Sequence, residues 1–275
     1  MMRKITVASL FVFFSFACLA QRGKGGALTV STSIVVNEYT TLTANAASGA
    51  TSITVANSNL NANGRFAGNL SAGDLIMVIQ MQGATITGGL NPFDKFWGVP
   101  NDSSWGKVTS YNNCGNYEFA EVLSVPNGTT INIECSLTNN YTAAAKVQVV
   151  RVPRYTTLTI NAGGTIGCDA WDSAKGGITA IEVLGNTVIN TGGAINVSSN
   201  GFRGGLLDND SSGYGIVNSA VMLMSYGKAK GEGIAGYNWS YDPYGGRYCN
   251  GAPANAGGGA SAHNGGGGGG SNGGV

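Results

Sequence analysis

Three carboxyls are the candidates for proton transfer. Asp169 and Asp172 flank Trp171, and Glu182 follows in the next apolar run. Acid–base catalysis needs such groups held at a set separation, and no pair here has a spacing from which a glycosidase geometry can be argued. Two glycine patterns imitate catalytic motifs. Gly231-Glu232-Gly233-Ile234-Ala235-Gly236 matches the dinucleotide fingerprint, which works as a strand, a tight turn and a helix N-terminus. The following Tyr237-Asn238-Trp239-Ser240-Tyr241-Asp242-Pro243 does not make that helix, and no acid lies about 20 residues on. Gly269-Gly270-Ser271-Asn272-Gly273 matches the nucleophile elbow but sits in polyglycine, and the single histidine, His263, has no buried acid to orient it. Asp208-Asn209-Asp210-Ser211-Ser212-Gly213 opens like a calcium loop, with Asp208, Asp210 and Ser212 as oxygen ligands. Ser219 stands where the bidentate acid belongs, so calcium is a weak candidate and a solvated turn the plainer reading. No other cofactor is expected.

Aromatic residues offer contact rather than catalysis. Trp97 and Trp105 lie with Phe93 and Phe96 in a turn-rich segment, and Tyr237, Trp239 and Tyr241 alternate, which puts them on one face of a strand. Such rings stack on sugars; equally, they fill volume over bare glycine backbone. Four cysteines follow the N-terminal segment: Cys114, Cys135, Cys168 and Cys249. In an exported chain they suggest two disulfides, with three connectivities open. A Cys114–Cys135 pair meets an objection. If Asn127-Gly128 turns a hairpin, Cys135 faces a residue near Ala120, roughly 20 Å along the strand from Cys114. Zinc is disfavoured, because the chain has no C-x-x-C and one histidine.

The elements that must position these groups are strands. Runs rich in Val, Ile, Thr and aromatics alternate with Asn/Gly/Ser clusters at Leu28–Val36, Tyr39–Ala44, Ser52–Ala56, Asp74–Met81, Tyr117–Val125, Thr130–Leu137, Lys146–Val152 and Tyr155–Ile160. No segment among them holds a 3.6-residue apolar period. Two internal echoes appear. Tyr39–Ala46 (YTTLTANA) and Tyr155–Ala162 (YTTLTINA) agree at seven of eight positions, while Ile160–Ile166 (INAGGTI) and Ile189–Ile195 (INTGGAI) agree less closely at an offset of 29. Strand, Asn, paired Gly and strand at that spacing suit consecutive coils of a β-solenoid. The expected architecture is all-β: a small barrel- or sandwich-like domain over 27–153, inserted between or preceding strands of a solenoid-like region over 154–226. A Gly-rich tract over 227–275, flexible or polyglycine-packed, follows. Ile216–Tyr226 (IVNSAVMLMSY) is the last strongly apolar run, a buried strand or a short helix.

Composition bounds the function. Of 275 residues, 45 are Gly; 43% are hydrophobic and 11% charged, which excludes a coiled coil, a charged tail and wholesale disorder. Collagen is excluded by the lack of a G-X-Y period. Residues 1–20 read as a secretory signal, with Arg3 and Lys4, an apolar run, and small residues before Gln21. Its removal leaves 13 basic and 14 acidic residues, so nucleic acid has no electrostatic reason to bind. No later run is apolar for 18 residues. Because the sequence stops inside a glycine tract, the chain is expected to continue beyond Val275.

GDLIMVIQMQGA (Gly73–Ala84), YEFAEVLSV (Tyr117–Val125), KVQVVRVPRYTTLTINAGGTI (Lys146–Ile166) and the tract GRYCNGAPANAGGGASAHNGGGGGG (Gly246–Gly270) together resemble the glycine-rich, β-structured exported surface proteins of gliding, type IX-secreting bacteria. No sorting domain of the type IX kind is seen in these residues. Asp172-Ser173-Ala174 resembles the short O-glycosylation acceptor of some secreting bacteria. The resemblance implies a non-catalytic, secreted or cell-surface, adhesin-like protein making multivalent contacts with surface glycans or other cell-surface proteins. The alternative is a carbohydrate-active enzyme, a lyase or hydrolase, or its substrate-binding module; a third is a structural matrix component.

Overall fold

The computed structural model describes residues 22–86, 107–204, 231–236 and 254–257. Its strands, in chain order, are β1 (Ala27–Val30), β2 (Ser33–Val35), β3 (Glu38–Thr41), β4 (Ser52–Thr54), β5 (Leu75–Gln80), β6 (Thr85–Ile86), β7 (Val108–Ser110), β8 (Tyr117–Asn127) and β9 (Thr130–Ile133). They continue with β10 (Val147–Val152), β11 (Arg154–Tyr155), β12 (Thr157–Ile160), β13 (Thr165–Gly167), β14 (Glu182–Val183), β15 (Thr187–Ile189) and β16 (Ala194–Ile195). Among the described residues the only helical element is one 3-10 turn at Ala143–Ala145, so the fold is all-β.

Parallel stacking makes three coils. One sheet runs β1-β12-β15 and another β16-β13-β2. Leu158 faces Thr187 and Ile166 faces Ile195, an offset of 29 in both strands. The weaker sequence echo is therefore the structural repeat. Val30, Ile160 and Ile166 are buried in the shared coil interior, where branched side chains stack directly on their counterparts. Polar residues line up too: Asn190 donates to Asn161 (3.0 Å), and Asn161 donates to Ser31 (3.1 Å).

The paired glycines turn each corner by two different means. Gly163 and Gly192 have φ of +80° and +84°, which an L side chain resists. Gly164 and Gly193 are there for room: a Cβ would lie 2.4 Å from the Val30 carbonyl oxygen and 2.7 Å from that of Ile160. The second glycine lets one coil's corner rest on the coil beneath.

A six-stranded antiparallel sheet, in the order β3-β10-β5-β8-β9-β4, is spliced between the first and second coils. It curls until its outer strands approach each other at the Leu42–Val55 bridge, giving a barrel-like shape around Ile53, Ile76, Val78, Val122, Ile131, Ile133, Val147 and Val149. β10 is buried along its whole length because it is covered on both faces, by that core within and by Ile178 and Ala180 outside. Asn127 pairs with Thr130, so the expected hairpin forms there.

Two expectations are revised. Ala27–Val35 belongs to the solenoid rather than to the β domain expected over 27–153, because β1 and β2 pair with β12 and β13. The stronger echo marks no repeat. Glu38–Thr41 is an antiparallel barrel strand against β10, whereas Tyr155–Ala162 runs into the parallel β12. The true counterpart of Thr157–Ile160 is Ala27–Val30, which shares only Leu-Thr and a branched aliphatic fourth residue.

Candidate functional site

The junction between barrel and coils holds most of the described charge. The segment from Cys168 to Glu182 crosses the outer face of β3, β10 and β5, burying Leu75, Met77, Val150 and Val152 under Ile178 and Ala180. Backbone polar groups of that crossing segment need partners, and side chains of the barrel supply them. Asn37 donates to the Arg151 and Ala180 carbonyls, and Gln148 exchanges two hydrogen bonds with the Gly176 backbone. Tyr39 donates its hydroxyl to the Ile178 carbonyl at 2.6 Å; burial, reinforced by nearby Cys168 and Asp169, raises its pKa and keeps it a donor.

This arrangement decides the fate of the three carboxyls. Arg65 forks onto Asp169 with two 2.7 Å hydrogen bonds, while the Arg65 backbone and Asn63 are fastened to the buried Glu38. Glu182 pairs with Arg154, which also bonds Glu121 at 2.8 Å and the Gly73 carbonyl at 3.1 Å. Asp172 accepts from the Ala174 and Lys175 N–H groups, both at 2.8 Å, and closes a turn. Each carboxylate thus has a structural partner, an arginine for Asp169 and Glu182 and backbone N–H groups for Asp172, whose side chain stays half exposed. A second buried pair, Arg151 with Asp74 at 2.8 Å, sits under the Phe66 ring, with the guanidinium 3.9 Å from its centroid, and Lys24 reaches the same Asp74. Among the described residues no group of three or more His, Cys, Asp or Glu could hold a metal ion.

What the crossing segment leaves bare is the next strand. Tyr117 pairs with Ile79 and Phe119 with Met77, so both rings lie on the covered face but beyond the cover. They are 56% and 52% exposed and meet edge to face, 6.2 Å between centroids. Glu121 is next on that face, tied to Arg154. Solvated aromatics side by side, bordered by an anchored carboxylate, make a contact platform: ring faces take C–H surface, and the carboxylate accepts hydroxyl protons. The alternation in YEFAE could have revealed this pair from the sequence, but it read as an ordinary strand, since alternation does not say which face is covered.

The other sequence candidates fall as follows. Trp97, Trp105, Tyr237, Trp239, Tyr241, Asp208, Asp210, Ser212 and Cys249 lie outside the described residues, as do 1–21 with the signal segment, Gln21 and the polyglycine run. Cys114, Cys135 and Cys168 are free thiols, so no disulfide joins any two of them. Glu134 bonds to Glu121 through its backbone, which places Cys135 near Ala120 as the hairpin requires and away from Cys114. Burial pushes the Cys114 thiol up to about 11, and Cys168 is raised for the same reason. The fingerprint-like Gly231–Gly236 is a packing device. The Ile234 carbonyl accepts from Gly83 and Ala84, and Gly231 donates to Gly257. A Cβ on Gly233 would lie 2.7 Å from the Asn255 side-chain oxygen. Glu232 is buried between Gln82 and Arg203.

No protein-family model matches the chain, and no curated protein matches it. Solved structures that align with it are phage tailspikes. The gp61 tailspike of Pseudomonas phage phi297 shows 15% identity over 51% of this chain and 23% of its own, with a TM-score of 0.25. The gp49 tailspike of Pseudomonas phage LKA1 shows 20% identity over 54% and 23%, also at 0.25. The Gp54 tailspike of Acinetobacter baumannii bacteriophage AP22, solved with A. baumannii capsular saccharide, shows 12% identity over 60% and 29%, at 0.26. The chain thus spans less than a third of each tailspike. At these TM-scores the likeness adds nothing about function, and the fold rests on the chain's own strands. No helix among the described residues is long and apolar enough to cross a membrane.

Proposed function

We propose that this chain is a non-catalytic, exported surface protein of the adhesin-like kind, which contacts glycans through shallow aromatic platforms rather than a deep pocket. The observation that carries the reading is the solvated Tyr117–Phe119 pair at the uncovered margin of the barrel sheet, beside Glu121. An exposed ring face suits the apolar face of a pyranose, and weak contacts of this type gain strength when several engage one polymer. Trp97, Trp105, Tyr237, Trp239 and Tyr241 would supply further contacts of the same chemistry. The export signal in residues 1–20 supports an extracellular or outer-surface location, and the sequence resemblance supports a type IX route. Asp169 and Glu182 are paired with arginines and Asp172 accepts from backbone N–H groups, structural engagements that support the non-catalytic reading.

The test is retention of the purified protein on a panel of immobilised bacterial polysaccharides, with Tyr117→Ala/Phe119→Ala beside the parent. Retention that falls at least about tenfold in the double variant, with an unchanged melting temperature, supports the reading. Equal retention, or turnover of any polysaccharide, refutes it. Both rings are more than half exposed, so their truncation should leave stability within about 0.5 kcal/mol.

A further inference from the structure

Three Asn-Gly pairs lie among the described residues: Asn63-Gly64, Asn127-Gly128 and Asn200-Gly201. In that dipeptide the glycine amide nitrogen can approach the asparagine side-chain carbon, because no Cβ stands in its way. Residue type makes the three equivalent, and the fold makes them different. At Asn63 both reacting groups are engaged: its Nδ2 donates to Glu38 at 3.1 Å, and the Gly64 N–H donates to the Asn61 carbonyl at 3.2 Å. At Asn200 the side chain is tied down, with Nδ2 donating to the Cys168 carbonyl at 3.1 Å.

Asn127 is held in the opposite sense. It ends β8 at an exposed turn whose successive carbonyls are clasped by the chain leaving β4. The Asn127 carbonyl accepts from the Ser58 hydroxyl at 2.6 Å, that of Gly128 from the Ser58 N–H at 2.9 Å, and that of Thr129 from the Val55 N–H at 2.8 Å. Ser58 is buried, so the turn is fixed on a rigid anchor. Among the described residues no hydrogen bond engages the Gly128 N–H. The Asn127 Oδ1 accepts two, from the Thr129 N–H at 2.9 Å and from the Thr129 hydroxyl at 3.1 Å. Both donors sit on the atom that becomes negative when a nucleophile adds to the side-chain carbon, which is the arrangement of an oxyanion hole.

We propose that Asn127 is a self-modifying site, deamidated through a succinimide whose formation Thr129 promotes. Hydroxide takes the Gly128 amide proton, and the nitrogen attacks Asn127 Cγ. The new C–N bond forms while negative charge collects on Oδ1 between its two donors. Collapse then breaks the Cγ–Nδ2 bond, and ammonia leaves with a proton from water. Water opens the ring at Cγ to give aspartate, or at the main-chain carbonyl carbon to give isoaspartate. Either product adds negative charge to the turn. Isoaspartate also converts the carbonyl that Ser58 holds into a free carboxylate, which opens the clasp.

Peptide mapping by mass spectrometry tests this on the full chain, kept folded in mildly alkaline buffer and, in parallel, unfolded in urea. In the folded parent Asn127 should convert about tenfold faster than Asn63 or Asn200, and urea should abolish that advantage. Thr129→Val keeps the backbone donor and the branched shape but removes the hydroxyl. It should slow Asn127 roughly three- to tenfold, the worth of one hydrogen bond. Gly128→Ala should slow it as well; its Cβ meets nothing within 4 Å, so the turn is retained. Folded-state conversion of Asn63 or Asn200 as fast as Asn127, an advantage of Asn127 that persists in urea, or an Asn127 rate unchanged by Thr129→Val would overturn the inference.

Discussion

Replacing Gly164 with Ala isolates the contact on which coil stacking depends. The added Cβ would lie 2.4 Å from the Val30 carbonyl oxygen and 2.9 Å from its carbon, both backbone atoms that no side-chain rotation can move. To reach about 3.4 Å the corner must lift by about 1 Å, against four registered pairs between β1 and β12 and against the buried Val30, Ile160 and Ile166. Overpacking of this kind costs about 1–3 kcal/mol, and one or two weakened hydrogen bonds add about 1 kcal/mol each, so about 3–4 kcal/mol is expected. Gly163→Ala is the matched control. Its Cβ has only the Ser31 carbonyl oxygen at 3.9 Å, but its φ is +80°, which should cost about 1–2 kcal/mol. Gly163→Asn should recover part of that, whereas Gly164→Asn should not. Urea unfolding monitored by circular dichroism, with the slope compared between variants, measures all four. A Gly164→Ala loss at or below that of Gly163→Ala would refute the close-approach account of the paired glycines.

Three further outcomes follow from the described contacts. Glu118 is partly desolvated, which alone would raise its pKa, but hydrogen bonds from the Thr138 and Asn139 N–H groups and the Thr138 hydroxyl outweigh this and hold it below the usual carboxylate range. A depressed carboxyl stabilises the fold above its unfolded pKa, near 4.3, and that contribution disappears as pH falls through the folded value. Glu118→Gln should therefore lower the urea midpoint at pH 7 and have its smallest effect near pH 3; an effect that grows on acidification would reverse the sign. Arg154→Met should cost about 3 kcal/mol by leaving Glu121 and Glu182 facing each other's charge without their shared cation, and adding Glu121→Gln and Glu182→Gln should restore most of the loss, read as melting temperature. With a maleimide at pH 7.5 the exposed Cys135 should label first, and Cys114, buried and raised to about 11, only on unfolding; mass mapping that shows Cys114 labelled as fast as Cys135 would contradict the buried site.

The strands were largely legible because their signal is local. All eight runs read from β-branched content coincide with strands, and Asn127-Gly128 turns the hairpin its residue types favour. Long-range pairing was not legible in the same way. YTTLTANA and YTTLTINA look like one repeat, yet one segment lies antiparallel in the barrel and the other begins a parallel coil, since a four-residue strand does not encode its neighbour. The looser INAGGTI and INTGGAI echo was the informative one because glycine at fixed corners reports a backbone constraint, whereas Thr and Leu report only strand propensity. The short β6–β7 ladder, two and three residues long, carried too little pattern to be seen.

The candidate site divides along the same line. Sequence determined that acids, aromatics and cysteines were present, that catalytic glycine motifs were out of context, and that the scaffold was all-β. Only the tertiary structure assigned partners. Arg65 reaches Asp169 across more than a hundred residues of sequence, and Arg154 lies beside Glu182 only because β11 and β14 run parallel. Whether a carboxyl is a free base or half of a fixed ion pair depends on charges a few ångströms away, which residue spacing in such a chain does not carry. The same holds for Tyr117 and Phe119. Alternation put them on one face of β8, and the reach of the segment from Cys168 to Glu182 decided that this face is left open to solvent there.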